Sequence, residues 1–166
     1  MSQLFARLTA AAAVCLFLVG GAFAYTLEST EANFTVEMPG EPKLSRMNEK
    51  TYNGVPFERL QWLVDQGSRA WIISYNAYPD SFTWTYDIGM RGSLQNTKGT
   101  LKNRRSVRVQ GVTGEELLIE TPDGMMLRQQ MFLVGSKLYQ SIYAGPKGTE
   151  NQDDVSAFLN SFHIVR

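Results

Sequence analysis

The chain has 166 residues, 43% of them hydrophobic, and its 16 basic residues balance its 16 acidic residues. This balance excludes the broad cationic surface that binds nucleic acid or an anionic membrane. The single cysteine, Cys15, lies within the first 24 residues, so the rest of the chain has no disulfide, thiolate nucleophile or cysteine-ligated metal.

The first 24 residues are typical of a cleavable export signal. Arg7 precedes an apolar run over 8–19, and Ala22-Phe23-Ala24 supplies the small residues that a signal peptidase requires. The run is shorter than the roughly 20 apolar residues that cross a bilayer, so a signal is favoured over a membrane anchor. We expect cleavage after Ala24 and a mature domain over 25–166, periplasmic or secreted, without stable membrane insertion.

The first part of the expected mature chain has the pattern of strands and turns. Two short runs, 25–27 and 34–38, are rich in strand formers. Asn53-Gly54 is the strongest two-residue hairpin signal, and it separates predicted strands over 43–52 and 55–65. This part of the chain therefore predicts an antiparallel meander.

A second turn, at Gln66-Gly67, continues this meander into a strand over 68–78. If the turn contains two residues, it sets the cross-strand neighbours that stabilise a sheet. These neighbours would be Trp62 with Trp71 and Leu60 with Ile73.

A helix is predicted after Pro79, with Asp80 or Ser81 as its cap and Thr97 near its end. Apolar residues recur at every fourth position, namely Phe82, Tyr86, Met90 and Leu94. Gly89 and Gly92 each weaken a helix by about 1 kcal/mol relative to alanine. Because glycine has no side chain, its presence in a helix despite this cost indicates that the helix packs closely on a sheet.

A second meander and a second helix complete the chain. The predicted strands cover 104–110, 114–121, 125–134 and 137–144, with turns at 111–113, 122–124 and 135–136. From about Asn151, an amphipathic helix carries Val155, Phe158, Leu159 and Phe162. Residues 163–165 predict a short last strand.

The turn at 135–136 determines which residues share a sheet face. One face receives Leu127, Met131, Leu133, Leu138, Ile142 and Ala144, and the other receives Arg128, Gln130, Phe132, Tyr139, Ser141 and Tyr143. Both faces carry large apolar groups, so both should be covered. The sequence predicts an α+β fold, a central antiparallel sheet of six to eight strands in two meanders with helices packed on both faces.

Two local patterns support a resemblance to a known family. They are FTVEMPGEP at 34–42 and FLNSFHI at 158–164, the second a phenylalanine-rich helix end that leads into a strand. With the order of elements, they resemble the PsbP-like superfamily, which includes the extrinsic PsbP subunit of photosystem II and many exported bacterial domains. The resemblance implies a sheet sandwiched between helices and a non-catalytic accessory or binding role, and it brings no catalytic residue.

The chain contains no recognisable catalytic constellation. The sole histidine, His163, has no nucleophile or orienting carboxylate assigned to it by the sequence, which favours a structural position. The acidic pair Glu115-Glu116 points to opposite faces of a strand, and Asp153-Asp154 suits a helix N-terminus. We expect no metal, no cofactor and no enzyme activity. The alternative is a hydrolase or transferase that uses carboxylates such as Asp87 or Glu120.

A basic segment contains five cations without an acid among them, Lys98, Lys102, Arg104, Arg105 and Arg108. It predicts either a docking face, for an acidic partner or an anionic headgroup, or a solvated strand face. With a three-residue turn at 111–113, Arg108 would face Glu116 and Arg104 would face Glu120. Exposed cross-strand pairs of this kind are favoured over docking.

One predicted sheet face mixes aromatic and polar groups as ligand pockets do, with Phe132, Tyr139 and Tyr143 beside Arg128, and Trp84 as a roof. Core packing beneath a helix explains the same residues and is favoured. The function predicted is an exported accessory or binding protein of the bacterial envelope that docks a protein partner or a small apolar ligand. A purely structural subunit of a complex and a carboxylate hydrolase are the alternatives.

Overall fold

The computed structural model describes residues 25–165, and its strands form two antiparallel sheets. The strands are β1 (Tyr25–Ser29), β2 (Phe34–Met38), β3 (Lys43–Lys50), β4 (Pro56–Asp65), β5 (Ala70–Ala77), β6 (Thr100–Val109), β7 (Val112–Glu120), β8 (Met125–Val134), β9 (Lys137–Pro146) and β10 (His163–Ile164). The large sheet has the order β3-β4-β5-β9-β8-β7-β6, and the small sheet has the order β1-β2-β10. The predicted antiparallel sheet is confirmed. The expected export signal and Cys15 lie outside the described residues.

Two helices accompany the sheets, α1 (Tyr86–Thr97) and α2 (Asp153–Ser161). The predicted start of the first helix at Asp80 or Ser81 is wrong. Thr85 caps α1, because its Oγ1 accepts a hydrogen bond from the Ile88 amide at 3.2 Å. Phe82 therefore lies in the preceding turn and not on the helical stripe.

One face of the large sheet forms the main core together with α2 and the small sheet. Trp71 packs edge-on against Tyr143 at 4.8 Å and against Phe158 of α2 at 5.3 Å, between ring centroids. Phe162, just after α2, stacks on Phe132 at 5.9 Å. Full burial of side chains of this size stabilises a fold by about 1.5–3 kcal/mol each, so this face holds the structure together.

The opposite face of the same sheet carries a second, smaller apolar cluster. It contains Leu117, Ile119, Met131 and Leu138 with Phe82 and Trp84, and the half-buried side chains of α1 pack against it. Tyr86 joins α1 to the sheet, because its hydroxyl donates to the Thr113 carbonyl at 2.9 Å and accepts from the Leu133 amide at 3.3 Å.

The turns of the first meander are longer than the sequence predicts. The Asn53-Gly54 turn belongs to a five-residue loop between Lys50 and Pro56, in which Thr51 Oγ1 accepts from the Val55 amide at 3.0 Å. The turn at 66–67 spans 66–69, because Asp65 pairs with Ala70. Trp62 therefore faces Ile73, and Leu60 faces Tyr75. The β4–β5 register therefore differs from the prediction by two residues, and the side chains of these two strands keep their predicted faces relative to each other, whereas the β3–β4 register differs by one residue.

The second meander also departs from prediction at one turn. The β6–β7 turn contains two residues, Gln110 and Gly111, with φ of 46° and 83°. Positive φ at both positions is the type I′ geometry that matches the twist of a hairpin. The turn between β8 and β9 falls at Gly135-Ser136, and the predicted pairing of Phe132 with Tyr139 is confirmed.

The two glycines of α1 predict opposite responses to one substitution. A Cβ on Gly89 would overlap the Trp84 ring and lie 3.0 Å from Met131 Sδ, whereas no described atom beyond the neighbouring residues and backbone of α1 lies within 4 Å of a Cβ on Gly92. Gly92→Ala should stabilise the protein by about 1 kcal/mol through helix propensity. Gly89→Ala should destabilise it by about 1–3 kcal/mol through overpacking. Urea unfolding midpoints measure both, and shifts in the same direction would contradict this packing.

Candidate functional site

A cleft of about 720 Å³ lies between α1 and the sheet face that β4, β5, β9 and β8 present. Ligand pockets commonly have volumes of about 300–1,000 Å³. The floor comes from alternate residues of the four strands, namely Arg59, Gln61, Ser74, Asn76, Leu127, Gln129, Leu138, Gln140 and Ile142. The floor is therefore rich in neutral hydrogen-bonding groups, although it lies under a helix.

Strand alternation explains why these polar groups share one face. In β4, Arg59 and Gln61 alternate with the buried Leu60 and Trp62, which face the main core. The register pairs Arg59 with Asn76 and Gln61 with Ser74 across β4 and β5. It also pairs Ser74 with Gln140 across β5 and β9. The polar side chains thus lie next to one another across three strands.

Asn76 organises the floor of the cleft. Its side chain is buried, with only 1% of its surface exposed, and its Oδ1 accepts from Arg59 Nε at 3.1 Å and from Ser74 Oγ at 3.4 Å. Its Nδ2 donates to the Tyr78 hydroxyl at 3.4 Å and to Gln140 Oε1 at 3.5 Å, both near the long limit for a hydrogen bond, so both sides of the amide are used. Arg59 also forms an ion pair with Glu49 at 3.0 Å, so its charge is balanced within the cleft wall.

Gln129 connects the floor of the cleft to its roof. This residue is buried, and its Oε1 accepts a hydrogen bond from Ser93 Oγ of α1 at 2.9 Å. Within residues 25–165, neither Gln129 Nε2 nor the side chain of Gln61 has a protein hydrogen-bond partner. An amide group has two donors and an acceptor oxygen, so both side chains retain hydrogen-bonding capacity at the cleft.

One end of the cleft is aromatic. Phe57, Tyr78 and Phe82 follow one another, with ring centroids 4.6 Å and 5.2 Å apart. Tyr52, on the loop between β3 and β4, continues the row at 6.1 Å from Phe82 and has 80% of its surface exposed. Burial raises the pKa of Tyr78 despite the nearby Arg59 charge, so its hydroxyl stays neutral at physiological pH.

The aromatic face nominated from the sequence lies elsewhere, in the main core. Phe132, Tyr139 and Tyr143 are buried, and the Tyr139 hydroxyl donates to the Ala32 carbonyl at 2.9 Å. Burial raises the pKa of Tyr139 to about 12. Trp84 lines the cleft on the opposite face, so it cannot roof these three residues.

Sequence reasoning missed the residues that form the cleft floor. A signal for them was present, because Arg59, Gln61, Ser74 and Asn76 are polar at alternate positions of strands that are apolar at the positions between. Such alternation is ordinarily read as a solvated face. Only the position of α1 shows that this polar face borders a cleft.

Arg128, also nominated from the sequence, belongs to a buried ionic group. Its Nε lies 3.1 Å from Glu116 Oε1, which also receives Arg105 Nε at 2.8 Å. Gln130 Nε2 donates to the second oxygen of Glu116 at 2.8 Å. Burial raises the pKa of Glu116, but the hydrogen bonds from Gln130 and Arg128 and the charge of Arg128 outweigh burial, and the net pKa is lowered.

The basic segment is largely neutralised by cross-strand ion pairs. The predicted pairs of Arg108 with Glu116 and Arg104 with Glu120 are wrong, because the turn has two residues, so that Arg108 lies opposite Thr113 and Arg104 opposite Leu117. The pairs observed are Arg104 with Glu115 at 2.7 Å and with Asp87 at 2.7 Å, Arg105 with Glu116 at 2.6 Å, and Lys102 with Glu120 at 3.0 Å. Lys98 lies at the C-terminal cap of α1, and Arg108 contacts Thr113 at 3.5 Å.

The residues considered for catalysis do not converge. Asp87 pairs with Arg104, Glu120 pairs with Lys102 and Lys147, and His163 Nδ1 lies 2.9 Å from the Ser161 carbonyl at the surface. Among residues 25–165, no three His, Cys, Asp or Glu side chains form a group suited to a metal ion. In the same part of the chain, no helix is long and apolar enough to cross a membrane.

Comparison with known proteins shows the fold of the chain. It has the PsbP-like fold, since it matches the solution structure of cyanobacterial PsbP (CyanoP) from Synechocystis over 84% of this chain and 91% of that chain, with a TM-score of 0.57 and 13% identity. A protein of unknown function from Pseudomonas aeruginosa, PA94, matches over 80% and 89% of the two chains, with a TM-score of 0.44 and 13% identity. No family model and no curated protein sequence matches.

The Glu116 group predicts a pH dependence of stability. Because the folded-state pKa of Glu116 is lowered, its stabilising contribution is complete above the unfolded-state pKa and is lost as the pH falls through the folded-state value. Glu116→Gln should therefore lower the free energy of unfolding by about 1–3 kcal/mol at pH 7, and the difference from wild type should shrink in acid.

Glu115→Gln is the matched control for this prediction. Its side chain is 20% exposed and pairs with Arg104 on the other face of β7, so the loss should be about 0.2–1 kcal/mol. Urea unfolding at pH 7 and in acid checks both variants. Equal losses for the two variants would show that Glu116 has no special role.

Proposed function

We propose that the chain is an exported, non-catalytic binding protein of the bacterial envelope, and that the cleft beneath α1 holds a small polar ligand. The observation that carries this proposal is the floor of the cleft, where Gln129 is buried and its Nε2 has no hydrogen-bond partner among residues 25–165, and the side chain of Gln61 has none there either. Buried polar groups in a folded protein are ordinarily paired, so spare capacity in a cleft favours an external partner.

The proposed architecture is a sheet with one helix on each face, and it accounts for where the cleft lies. On one face, α2 and the small sheet pack over the wide aromatic core. On the other face, α1 packs over the apolar cluster around Leu117 and Met131 and leaves the β4–β5–β9 region beside it. A rigid floor and a single-helix roof suit a binding site that exists before the ligand arrives.

The chemistry of the floor favours a polar ligand over the small apolar ligand that the sequence suggested. An apolar molecule over Gln61 and Gln129 would separate these amide groups from water without supplying hydrogen bonds. Such uncompensated burial costs about 1–3 kcal/mol for each group. A ligand with its own donors and acceptors would avoid this cost.

The titratable groups of the cleft support a binding role over catalysis. Its carboxylate, Glu49, is held by Arg59 at 3.0 Å, and its other charged residues, Lys50 and Arg91, lie toward solvent. General acid–base chemistry needs a group that can exchange a proton within reach of a substrate. The residues of the cleft can therefore bind and orient a molecule through hydrogen bonds.

Filling the cleft should abolish ligand retention. Gly92 lines the cleft with open space around it, so Gly92→Leu should project a side chain into the site without disturbing the helix. We expect native mass spectrometry of the protein, purified after expression of the full chain, to show a ligand mass that denaturation removes and that Gly92→Leu lacks. Cleavage after Ala24 should appear in the same spectrum.

Gly92→Ala is the control, because it gains the same helix propensity and adds only a methyl group. It should keep the ligand mass. A wild-type protein without any such mass, or a mass that persists in Gly92→Leu, would contradict the proposed site.

A further inference from the structure

We infer that the cleft binds a neutral saccharide chain, an inference that rests on the proposed function and specifies its ligand. The cleft combines two kinds of surface that a saccharide needs together. Planar amide groups line its floor and roof, and aromatic rings line one end. A sugar ring presents hydroxyl groups around its edge and C–H groups on its faces. The hydroxyl groups can bind the amides of the cleft, and the C–H groups can pack against the aromatic rings.

The amide groups lie on both sides of the space. Gln61 and Gln140 project from the floor, and Gln95 and Asn96 project from α1 above it. Each amide offers two donors and an acceptor in one plane, which suits neighbouring hydroxyl groups that both donate and accept. Hydroxyl groups can therefore pair with the floor and the roof at the same time.

The aromatic end supplies the apolar part of the recognition. Tyr52 is 80% exposed, yet its ring packs against Phe82 and is not a lone residue on a loop tip. Because the face of an aromatic ring is apolar and electron-rich, it packs well against the polarised C–H groups of a sugar. The exposed ring at the mouth of the cleft fits this contact.

The charges in the cleft do not favour an anionic ligand. Arg59 is engaged by Glu49 and Asn76, and Arg91 Nε donates to the Asp87 carbonyl at 3.3 Å. Lys50 is exposed at the end of β3. Anion sites bring several cations to one point, and these three groups are directed to different partners or to solvent.

The backbone of the cleft floor does not favour an extended peptide. β4, β5, β9 and β8 are interior strands, each paired on both sides. Their amide and carbonyl groups are consumed by the sheet, so a peptide cannot add as a further strand at this place. Recognition must come from side chains, and a ligand with hydroxyl groups all around its edge makes better use of isolated amides than a peptide does.

The test is a titration of the isotope-labelled protein, purified after expression of the full chain, followed by NMR backbone shifts. The probes are cellohexaose, maltohexaose and chitohexaose, with hexaglycine and sodium laurate as ligands of other classes, each up to about 10 mM so that weak binding is detected. We expect at least one hexaose to shift resonances of α1, β5 and β9, and the other two classes to leave them unchanged.

Variants identify the contacts in this experiment. Gln140→Ala and, on the exposed roof, Gln95→Ala should weaken saccharide binding about three- to tenfold, the effect of one lost hydrogen bond. Gln152→Ala is the matched control, because Gln152 is exposed at α2 and its side chain makes no cap hydrogen bond. Tyr52→Ala should weaken binding, while Tyr52→Phe, which keeps the ring, should not.

The outcomes separate this inference from the proposed function. Shifts in the cleft caused only by hexaglycine or laurate would overturn the saccharide inference and leave the cleft as a binding site. Shifts caused by a hexaose but unaffected by Gln140→Ala, Gln95→Ala and Tyr52→Ala would overturn it as well. Silence toward all five probes would overturn the saccharide inference, and a ligand mass sensitive to Gly92→Leu would then still support the proposed function.

Discussion

The alternation of side chains along β4 and β5 is the constraint on which the rest of this structure depends. Leu60, Trp62, Trp71 and Ile73 must all lie on one face, because successive residues of a strand point in opposite directions. The residues between them are then forced onto the other face together. The same alternation of side chains thus places the apolar residues in the main core and the polar residues on the floor of the cleft. A change of strand register that moved one set would move the other.

The position of α1 follows from what that second face offers. Apolar side chains are available around Leu117 and Met131, whereas the β4–β5 part of the face is polar. The helix packs where burial is favourable, and Gly89 permits the close approach of the Trp84 ring. The hydrogen bond between Ser93 and Gln129 lies at the boundary between these two regions. The β4–β5 part of the face has few apolar side chains for α1 to bury. The helix therefore leaves it uncovered, and the cleft lies there.

Local sequence signals predicted much of the fold, and long-range packing accounts for the errors. The β8–β9 hairpin was predictable because the tight turn at 135–136 determines every pair along it. The loop at 51–55 was not, since the Thr51 side chain closes it with hydrogen bonds that no dipeptide pattern shows. The candidate site was missed for a related reason. The aromatic residues Phe132, Tyr139 and Tyr143 share one sheet face and were considered as a pocket. The small sheet and α2, which are distant in sequence, cover that face and make it the main core.

Glu116 on the core face and the amides that line the cleft have different hydrogen-bonding surroundings. On the core face, both oxygens of Glu116 are occupied by Arg105, Arg128 and Gln130. A buried charge left unpaired there would be strongly destabilising, so its partners are supplied from within the chain. On the cleft face, Gln61 and Gln129 have capacity that other described residues do not use. Those amides border the open cleft. Water or a ligand in the cleft can supply the hydrogen bonds that the protein does not.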